Sequence, residues 1–492
     1  MKKNNSLVGA TYLQIIRYLG QFMMMIGVIC LVPLIMLIFY PKEYKLAYCF
    51  LIPALSYLLI GGIISFLLRN VLQNRLRKNQ DAMLVVLIWA MTVILSSIPY
   101  VLSHDYTFSQ AVFESMSGFS TTGLSVTDVD NASHIFLFYR SLTLVIGGIG
   151  LVLIFTSALS DVYGLRLYTA EGHNDRLMPN LARSGRLFLL IYLGYIFAGM
   201  VAYLCCGMKP FDALNYAMAA VSTGGFATHS QSVGYFTKNA LGIEIITIIL
   251  MILGSTNFVI HTFLLSGKIK KVWHHCETKL LCLLIFIFVP IMALCLFIKL
   301  DYGFGHSIRV ALFQFISAIT GTGFQTVSDF KALPDNFILC MIIAMIIGGG
   351  VGSTAGALKQ YRVCLLFKSM YWNIKDRCDS HLVINSHYIN KYDKKVLVSD
   401  KDIHDNNTYI SFYIILYIIG SLIFMCVGYS FTDSLFTFAS ALGTVGLSRG
   451  VDFQSANNLI LWTSILGMYF GRLEIIVIFT AISRGIKDIK NK

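Results

Sequence analysis

The sequence predicts an all-α integral membrane protein in which four span–pore-helix–span repeats surround a central pore, preceded by two extra transmembrane helices. Two observations lead to this fold class. Hydrophobic residues make up 56% of the 492 residues and charged residues only 13%, whereas a soluble domain has a charged fraction of roughly 25%. In addition, a turn rich in Thr and Gly recurs four times at intervals of about a hundred residues.

Ten apolar runs are long enough to cross the hydrocarbon core of a bilayer, which takes roughly 20 helical residues. We expect spans near residues 18–40, 47–68, 82–102, 134–159, 187–207, 241–266, 280–298, 337–358, 409–430 and 459–482. Lys and Arg are concentrated on one face, for example at Arg69, Arg75, Arg77 and Lys78, which predicts that both termini are cytoplasmic. This asymmetry and attraction to anionic lipid explain the net charge of +13 without nucleic-acid binding.

The order of spans divides the chain into six segments. We expect two leading transmembrane helices at 1–81, pore repeats at 82–160, 185–266, 278–366 and 409–486, and a polar cytoplasmic insertion at 367–408. Each repeat carries a short apolar helix between its two spans. Candidate N-caps for these short helices are Ser109, Asp212, Ser307, and Thr432 or Asp433.

The insertion contains two alternating pieces, HLVIN at 381–385 and KKVLVSD at 394–400, which predict a small hairpin. It is too short for a nucleotide-binding domain. It is either a docking surface for a cytosolic partner or a solvated connector.

The four turns read STTGL at 120–124, STGGF at 222–226, TGTGF at 320–324 and GTVGL at 443–447. Only the final glycine and the apolar residue after it recur in every copy. Such a turn, repeated around one axis, can point carbonyl groups inward to replace the hydration shell of a cation. The expected ion-binding residues of this selectivity filter are Thr121, Thr122, Gly123, Thr223, Gly224, Gly225, Gly321, Thr322, Gly323, Thr444, Val445 and Gly446.

A second glycine-rich segment, GGGVGSTAG at Gly348–Gly356, lies in an apolar span and lacks the G-K-[ST] ending of a phosphate-binding loop. It predicts a break in a membrane helix, and we interpret it as a gate; the alternative is close helix packing through small residues. Arg472 lies in the last span, where a guanidinium is costly unless it faces water or a partner. It is either a barrier to cations or paired with Glu474 or another acid. The candidate gate residues are Gly348, Gly349, Gly350, Gly352, Ser353, Thr354, Gly356 and Arg472.

Seven motifs spread over the four repeats carry a family resemblance: FESMSGFSTTG, RSLTLVIGGIG, STGGFATHS, STNFVIH, TGTGF, GGGVGSTAGALKQYR and GRLE. Through them the chain resembles the TrkH/KtrB/HKT superfamily of potassium transporters over nearly its whole length. The two leading spans look more like the TrkH branch. The chain departs from the family pattern at Leu144, Ser255 and Val445.

The resemblance implies a homodimer in which each subunit has its own pore, with Gly123, Gly225, Gly323 and Gly446 at the filter positions. It also implies an intramembrane loop at Gly348–Gly356 and a pore arginine at Arg472. Members of this branch work with a separate cytosolic, nucleotide-binding regulatory subunit (TrkA-like), which a partner would have to supply. Sodium-selective plant relatives carry serine in the first filter segment, so glycine at 123 favours potassium.

We therefore expect potassium uptake across the bacterial inner membrane through a selective, gated, channel-like pore, with potassium as the substrate and no cofactor in this chain. The alternative is a sodium-permeable or sodium/proton-coupled potassium transporter of the same fold. An integral-membrane enzyme would need a nucleophile, an acid/base pair or a metal cluster near the interface, and the sequence offers no such constellation. A membrane scaffold would not need four filter turns. The eleven Cys contain no C-x-x-C pair, which argues against a zinc site.

Overall fold

The computed structural model of the protein describes residues 2–71, 80–150, 181–236, 240–378, 386–392 and 394–490. Helices dominate this part of the chain, and the strands within it form one antiparallel hairpin. The all-α membrane fold class is therefore confirmed. The end of the first repeat, the basic residues Arg75, Arg77 and Lys78, and the piece HLVIN all lie outside the described residues.

The two leading helices pack against each other along a line of glycines. The leading segment comprises α1 (Lys2–Leu31), α2 (Met36–Phe39) and α3 (Ala47–Leu67). A Cβ atom on Gly20, Gly27 or Gly61 would come within 3.0 Å of the facing helix. Small residues at these positions therefore let the two backbones approach closely, as is common in membranes.

The helices of the four repeats follow in the predicted order. Repeat one contains α4 (Gln80–Leu102), α5 (Phe108–Phe119) and α6 (His134–Ile149). Repeat two contains α7 (Leu181–Cys205), α8 (Pro210–Val221), α9 (Ala240–Ser255) and α10 (Phe258–Leu265), and α11 (Ile269–His274) leads to the next repeat. Repeat three contains α12 (Cys276–Leu300), α13 (Phe304–Ile319) and α14 (Asp335–Ile347), followed by α15 (Gln360–Cys378). The strands β1 (Tyr388–Lys391) and β2 (Lys394–Leu397) precede repeat four, which contains α16 (Asp400–Val427), α17 (Phe431–Leu442), α18 (Asn458–Arg472) and α19 (Ile475–Lys490).

The short helices α5, α8, α13 and α17, which we call the pore helices, each end where a filter turn begins. Their N-caps lie earlier than the sequence analysis expected, at Thr107, Lys209, Gly303 and Ser430. Two local signals explain the difference. Gln110 completes a capping box with Thr107, and Pro210 occupies the first helical turn, where its missing N–H costs nothing.

Several of the ten expected spans are not single unbroken helices in the described residues. Six helical segments there are long and apolar enough to cross a membrane, or up to eight if each of two bent pairs counts as one span. The expected span at 241–266 bends by 116° between α9 and α10, and that at 459–482 bends by 101° between α18 and α19. The expected span at 337–358 ends as a helix at Ile347, which confirms the break predicted from the glycine-rich segment.

These breaks have different local causes. Asn257 ends the first helix of its pair by capping the next one, since its side-chain oxygen accepts a hydrogen bond from the Val259 N–H at 2.8 Å. Gly348 follows α14 with φ of 72°, a left-handed conformation that glycine adopts without strain. At Leu473 the backbone is extended, with φ −84° and ψ 143°, although its apolar side chain gives no warning of a break.

The insertion forms a hairpin, but its strands differ from the expected pair. Residues 388–391 pair antiparallel with residues 394–397, with Ile389 opposite Val396. The piece KKVLVSD therefore supplies one strand, as expected, and its partner is YINK at residues 388–391. Ile389 is fully buried in a cluster with Cys276, Leu365 and Val398, which fixes the hairpin against the first turn of α12 and against α15.

Candidate ion pathway and gate

The four filter turns form one closed ring. A Cβ atom added to the final glycine of any turn would overlap the carbonyl oxygen of the third residue of the next turn. The pairs are Gly123 with Gly224, Gly225 with Thr322, Gly323 with Val445, and Gly446 with Thr122. Because the fourth turn returns to the first, the structure brings all twelve expected filter residues together, and a side chain at any final glycine would disrupt the ring.

The backbone of the four turns follows one pattern. The second residue has positive φ in every copy: 56° at Thr121, 52° at Thr223, 71° at Gly321 and 53° at Thr444. A left-handed conformation costs a residue with a Cβ roughly 1–2 kcal/mol, so three threonines hold strained backbone here. Strain of this kind persists only where the surrounding structure enforces it, and it clusters at functional sites.

The pore helices hold the turns through backbone N–H groups. The N–H of the third residue donates to a carbonyl in the last turn of its own pore helix, at 2.9 Å from Thr122 and from Gly224, 3.0 Å from Thr322 and 2.8 Å from Val445. The next N–H, of Gly123 and Gly446, donates to the hydroxyls of Ser117 and Ser440. These backbone N–H groups thus face the pore helix of their own turn and point away from the neighbouring turns.

One face of the ring opens into a cavity of about 240 Å³. All four final glycines line it, together with Asp128, Arg140, His229 and Gln325. The ring is therefore the floor of a polar chamber shared by the repeats.

A buried ion pair connects the first filter turn to the second. Arg140 Nε lies 2.6 Å from Glu114 Oε1, and the two side chains are 2% and 0% exposed. Glu114 also accepts hydrogen bonds from Ser125 and from the N–H of Val126, just after the first turn. The Arg140 guanidinium lies 4.0 Å above the ring of Phe226, in the second turn. Breaking such a pair on one side leaves a buried charge without its partner.

The segment Gly348–Gly356, the intramembrane loop, exchanges hydrogen bonds with the residues at the break between α9 and α10. The Gly350 N–H donates to the Ser255 carbonyl at 2.9 Å, and the Phe258 N–H donates to the Gly352 carbonyl at 3.0 Å. The Asn257 amide donates to the Val351 carbonyl at 2.5 Å. Irregular backbone at membrane depth needs such internal partners, and the two breaks supply them to each other.

Thr354, which is fully buried, places the loop against the ring. Its hydroxyl lies 2.8 Å from that of Thr223, and its carbonyl accepts from the Thr121 hydroxyl at 3.3 Å. A Cβ atom on Gly356 would overlap the side chain of Thr444. The loop therefore contacts the second residues of three turns, on the face opposite the chamber.

Arg472, the last residue of α18, binds the same loop. Its guanidinium donates to the carbonyls of Thr354 and Gly147, and the latter lies in the last turn of α6. The Glu474 carboxylate accepts a hydrogen bond from Arg362 at 2.6 Å, so it binds a different partner from those of Arg472; a pair between Arg472 and an acid on another helix stays a prediction. The bend after Arg472 turns the two side chains toward different neighbours.

Sequence reasoning missed Glu277 and the partner of Glu244. Glu277 accepts a hydrogen bond from the Val351 N–H of the loop at 2.9 Å, but in the sequence it follows a basic cluster and reads as an interfacial acid. Glu244 binds Arg309 through two contacts of 2.6 and 2.7 Å. The Glu277 contact lies within repeat three and the Glu244 contact joins repeats two and three. Both link residues far apart in the chain, so only the three-dimensional structure discloses them.

Comparison with known proteins agrees with this architecture. Residues 54–487 match the family model TrkH, described as cation transport protein. The chain belongs to the TrkH family. It is 31% identical to the Trk system potassium uptake protein TrkH of Escherichia coli K12, over 83% of this chain and 86% of that protein. An uncharacterized cation transporter of Methanocaldococcus jannaschii is 29% identical over 94% of this chain and 93% of its own length.

A solved structure of the same family shares the fold. The crystal structure of the potassium transporter TrkH from Vibrio parahaemolyticus superposes with a TM-score of 0.83 and 25% identity, covering 95% of this chain and 98% of that one. The resemblance to the TrkH branch is thus confirmed, and the chain is a multi-pass membrane protein of this family.

Proposed function

We propose that this TrkH-family chain takes up potassium across the bacterial inner membrane through a selective, gated, channel-like pore. The observation that carries the proposal is the closed ring of four filter turns, in which each final glycine meets a carbonyl of the next turn. The names of the relatives, potassium uptake protein and potassium transporter, support the choice of ion.

The second, third and fourth residues of the turns are the proposed ion-binding residues. Carbonyl oxygens and threonine hydroxyls replace the hydration shell of a cation, and Val445 is the third-position residue of the fourth turn, without a hydroxyl. Potassium then moves down its electrochemical gradient, with a negative inside potential contributing about 2.3 kcal/mol per charge per 100 mV.

The intramembrane loop and Arg472 form the proposed gate. The loop lies against the ring at Thr354, and Arg472 binds the loop at the same residue. A cation leaving the ring meets the loop first and a guanidinium next. At an effective dielectric constant of about 20, two unit charges about 6 Å apart repel by roughly 3 kcal/mol, so conduction requires that the loop and the arginine move aside together.

The proposed assembly is a homodimer in the inner membrane, with both termini and the basic face in the cytoplasm. The described basic residues that support this orientation are Arg69, Lys268, Lys270, Lys271 and Lys279. The insertion with its hairpin then also lies in the cytoplasm. A separate nucleotide-binding subunit (TrkA-like) would act on this face and drive the gate, and the chain itself needs no cofactor.

Uptake of rubidium and sodium into liposomes containing the purified chain tests the proposal. A matched chain lacking part of Gly348–Gly356 removes the gate, so that the pathway is measured without the regulatory subunit. We expect rubidium uptake that potassium inhibits and sodium does not, and more of it in the shortened chain. Equal sodium uptake would indicate the sodium-permeable alternative. Uptake that requires an imposed sodium or proton gradient would indicate coupled transport.

A further inference from the structure

Three hydrogen bonds connect the cytoplasmic hairpin to the intramembrane loop. The Tyr392 N–H donates to His275 Nδ1 at 3.2 Å, His275 Nε2 lies 3.1 Å from Glu277 Oε2, and Glu277 Oε1 accepts from the Val351 N–H at 2.9 Å. Tyr392 follows β1 directly, whereas Val351 lies in the middle of the loop. The side chains of His275 and Glu277, which connect Tyr392 to Val351, lie at the start of α12.

These connecting groups are enclosed by protein. His275 is 1% exposed and Glu277 4% exposed. The Tyr392 ring stacks on the His275 ring at 4.8 Å between centroids with a 6° interplanar angle, and Phe263 packs against Tyr392 at 5.7 Å. A Cβ atom on Gly350 would lie 2.7 Å from Glu277 Oε2. Water therefore has little room to replace either partner if a bond is lost.

The pattern of donors fixes the protonation state of the imidazole. A backbone N–H can only donate, so His275 Nδ1 accepts from Tyr392 with its lone pair and carries no proton. A carboxylate accepts, so His275 Nε2 carries the proton that faces Glu277. A second proton on Nδ1 would set two donors against each other and remove the bond to the hairpin, while the contact with Glu277 would become a buried ion pair.

We propose that His275 and Glu277 are positioning residues that tie the cytoplasmic hairpin to the intramembrane loop, and that a second proton on His275 releases the hairpin and loosens the loop. The inference rests on the proposed function in one respect, the role of the loop as a gate. Acidification of the cytoplasmic side then raises flux, because the closed position of the loop loses its support from the hairpin.

The charged and titratable groups around His275 set the pH at which this happens. Burial lowers the pKa of His275, but the hydrogen bond and the negative charge of Glu277 outweigh burial and hold the pKa above its ordinary value. Cys276 also raises it, and Lys391 of the hairpin lowers it. The other groups at this site are Tyr392, Cys364 of α15, whose thiol adjoins Cys276, and Lys359, whose charge interacts with Glu277. The second proton is bound below the pKa, so the hairpin is attached at high pH and released as pH falls through that value.

A substitution at His275 can mimic the neutral imidazole, and the same substitution at the adjacent histidine is a matched control. In His275→Gln, one side-chain amide provides an acceptor for Tyr392 and a donor for Glu277, as the neutral imidazole does, but cannot take a second proton. In His274→Gln, the adjacent histidine is replaced; it is exposed, and its Nδ1 lies 2.7 Å from the Lys270 carbonyl. Both variants keep the hairpin and the loop unchanged in sequence.

The test combines hydrogen exchange of the full-length chain in lipid with rubidium flux, at pH 6 and pH 8 on both sides of the membrane. Comparing variants at the same pH cancels the intrinsic pH dependence of exchange. At pH 8 we expect the three proteins to agree. At pH 6 we expect the wild type and His274→Gln to exchange faster than His275→Gln in the hairpin and the loop, and to conduct about fivefold more rubidium, the effect of losing one hydrogen bond.

Equal exchange of all three proteins at pH 6 would overturn the proposal, whatever the flux. A difference in exchange without a difference in flux would support the connection and contradict the gating role of the loop, which separates this inference from the proposed function.

Discussion

The hydroxyl oxygens of Thr223 and Thr354 lie 2.8 Å apart, one in the second filter turn and the other in the intramembrane loop. Thr354 also donates to the Gly254 carbonyl at 2.9 Å, where α9 ends. A single buried side chain thus joins the filter, the loop and a broken span. Displacement of the loop would break these contacts together, so opening of the proposed gate would be a cooperative event.

Replacing Thr354 by Val should open the pathway. Valine keeps the shape of threonine but cannot bond to Thr223 or Gly254, and each lost hydrogen bond is worth about 1 kcal/mol. We expect rubidium flux into liposomes to increase about fivefold or more. Thr463→Val is the matched control, because the Thr463 hydroxyl bonds within its own helix, to the Leu459 carbonyl at 2.7 Å. Equal flux in wild type and Thr354→Val would show that this contact does not hold the gate.

Arg472→Ala should raise rubidium flux, because it removes both the positive charge and the hydrogen bonds to Thr354 and Gly147. Arg472→Lys separates these effects. Lysine keeps the charge but lacks the planar fork that reaches two carbonyls. If flux rises with lysine as well, loss of the hydrogen bonds to the loop is the main effect. If flux rises only with alanine, removal of the positive charge is the main effect. Unchanged or lower flux in well-folded Arg472→Ala protein would contradict both.

Glu114→Gln should destabilise the protein strongly. The change leaves the Arg140 charge buried against Phe226 without its carboxylate, a loss of about 3–5 kcal/mol in comparable buried pairs. Glu244→Gln is the matched change in a more accessible pair, since the Arg309 side chain is 36% exposed, and exposed pairs contribute about 1 kcal/mol or less. Thermal unfolding in detergent should show the larger drop in melting temperature for Glu114→Gln. Equal drops would mean that burial does not set the difference.

The four turns could be predicted from the sequence because their signal is local and repeated; their role as an ion filter stays a prediction. Each turn carries its own glycine and its own preceding helix, so four copies reveal the pattern even though their third residues read Thr122, Gly224, Thr322 and Val445. The arrangement of the turns around one axis was predicted, but the contact of each final glycine with the carbonyl of the next turn was not, because it joins turns about a hundred residues apart. The seven motifs indicated the family but gave no information about these contacts.

The broken spans show where sequence patterns fail. Hydropathy measures only the apolar character of a run, so the helices ending at Ser255 and Arg472 were expected to continue. Asn257 was a usable signal, since asparagine favours helix N-caps. Leu473 offered none. The pairing of Arg362 with Glu474, and not with a residue nearby in sequence, follows from that bend.

The central claim, that the ring of four turns selects potassium, is tested most directly with Gly123→Ser and Gly207→Ser. The two glycines have φ of 91° and 90°, but a Cβ on Gly123 would overlap the Gly224 carbonyl, whereas Gly207 has open space around it. Both variants therefore carry similar backbone strain, and only one disturbs the ring. The ratio of rubidium to sodium flux should fall about tenfold in Gly123→Ser, or ~1.4 kcal/mol, and stay at the wild-type value in Gly207→Ser. An unchanged ratio in folded Gly123→Ser protein would contradict the claim.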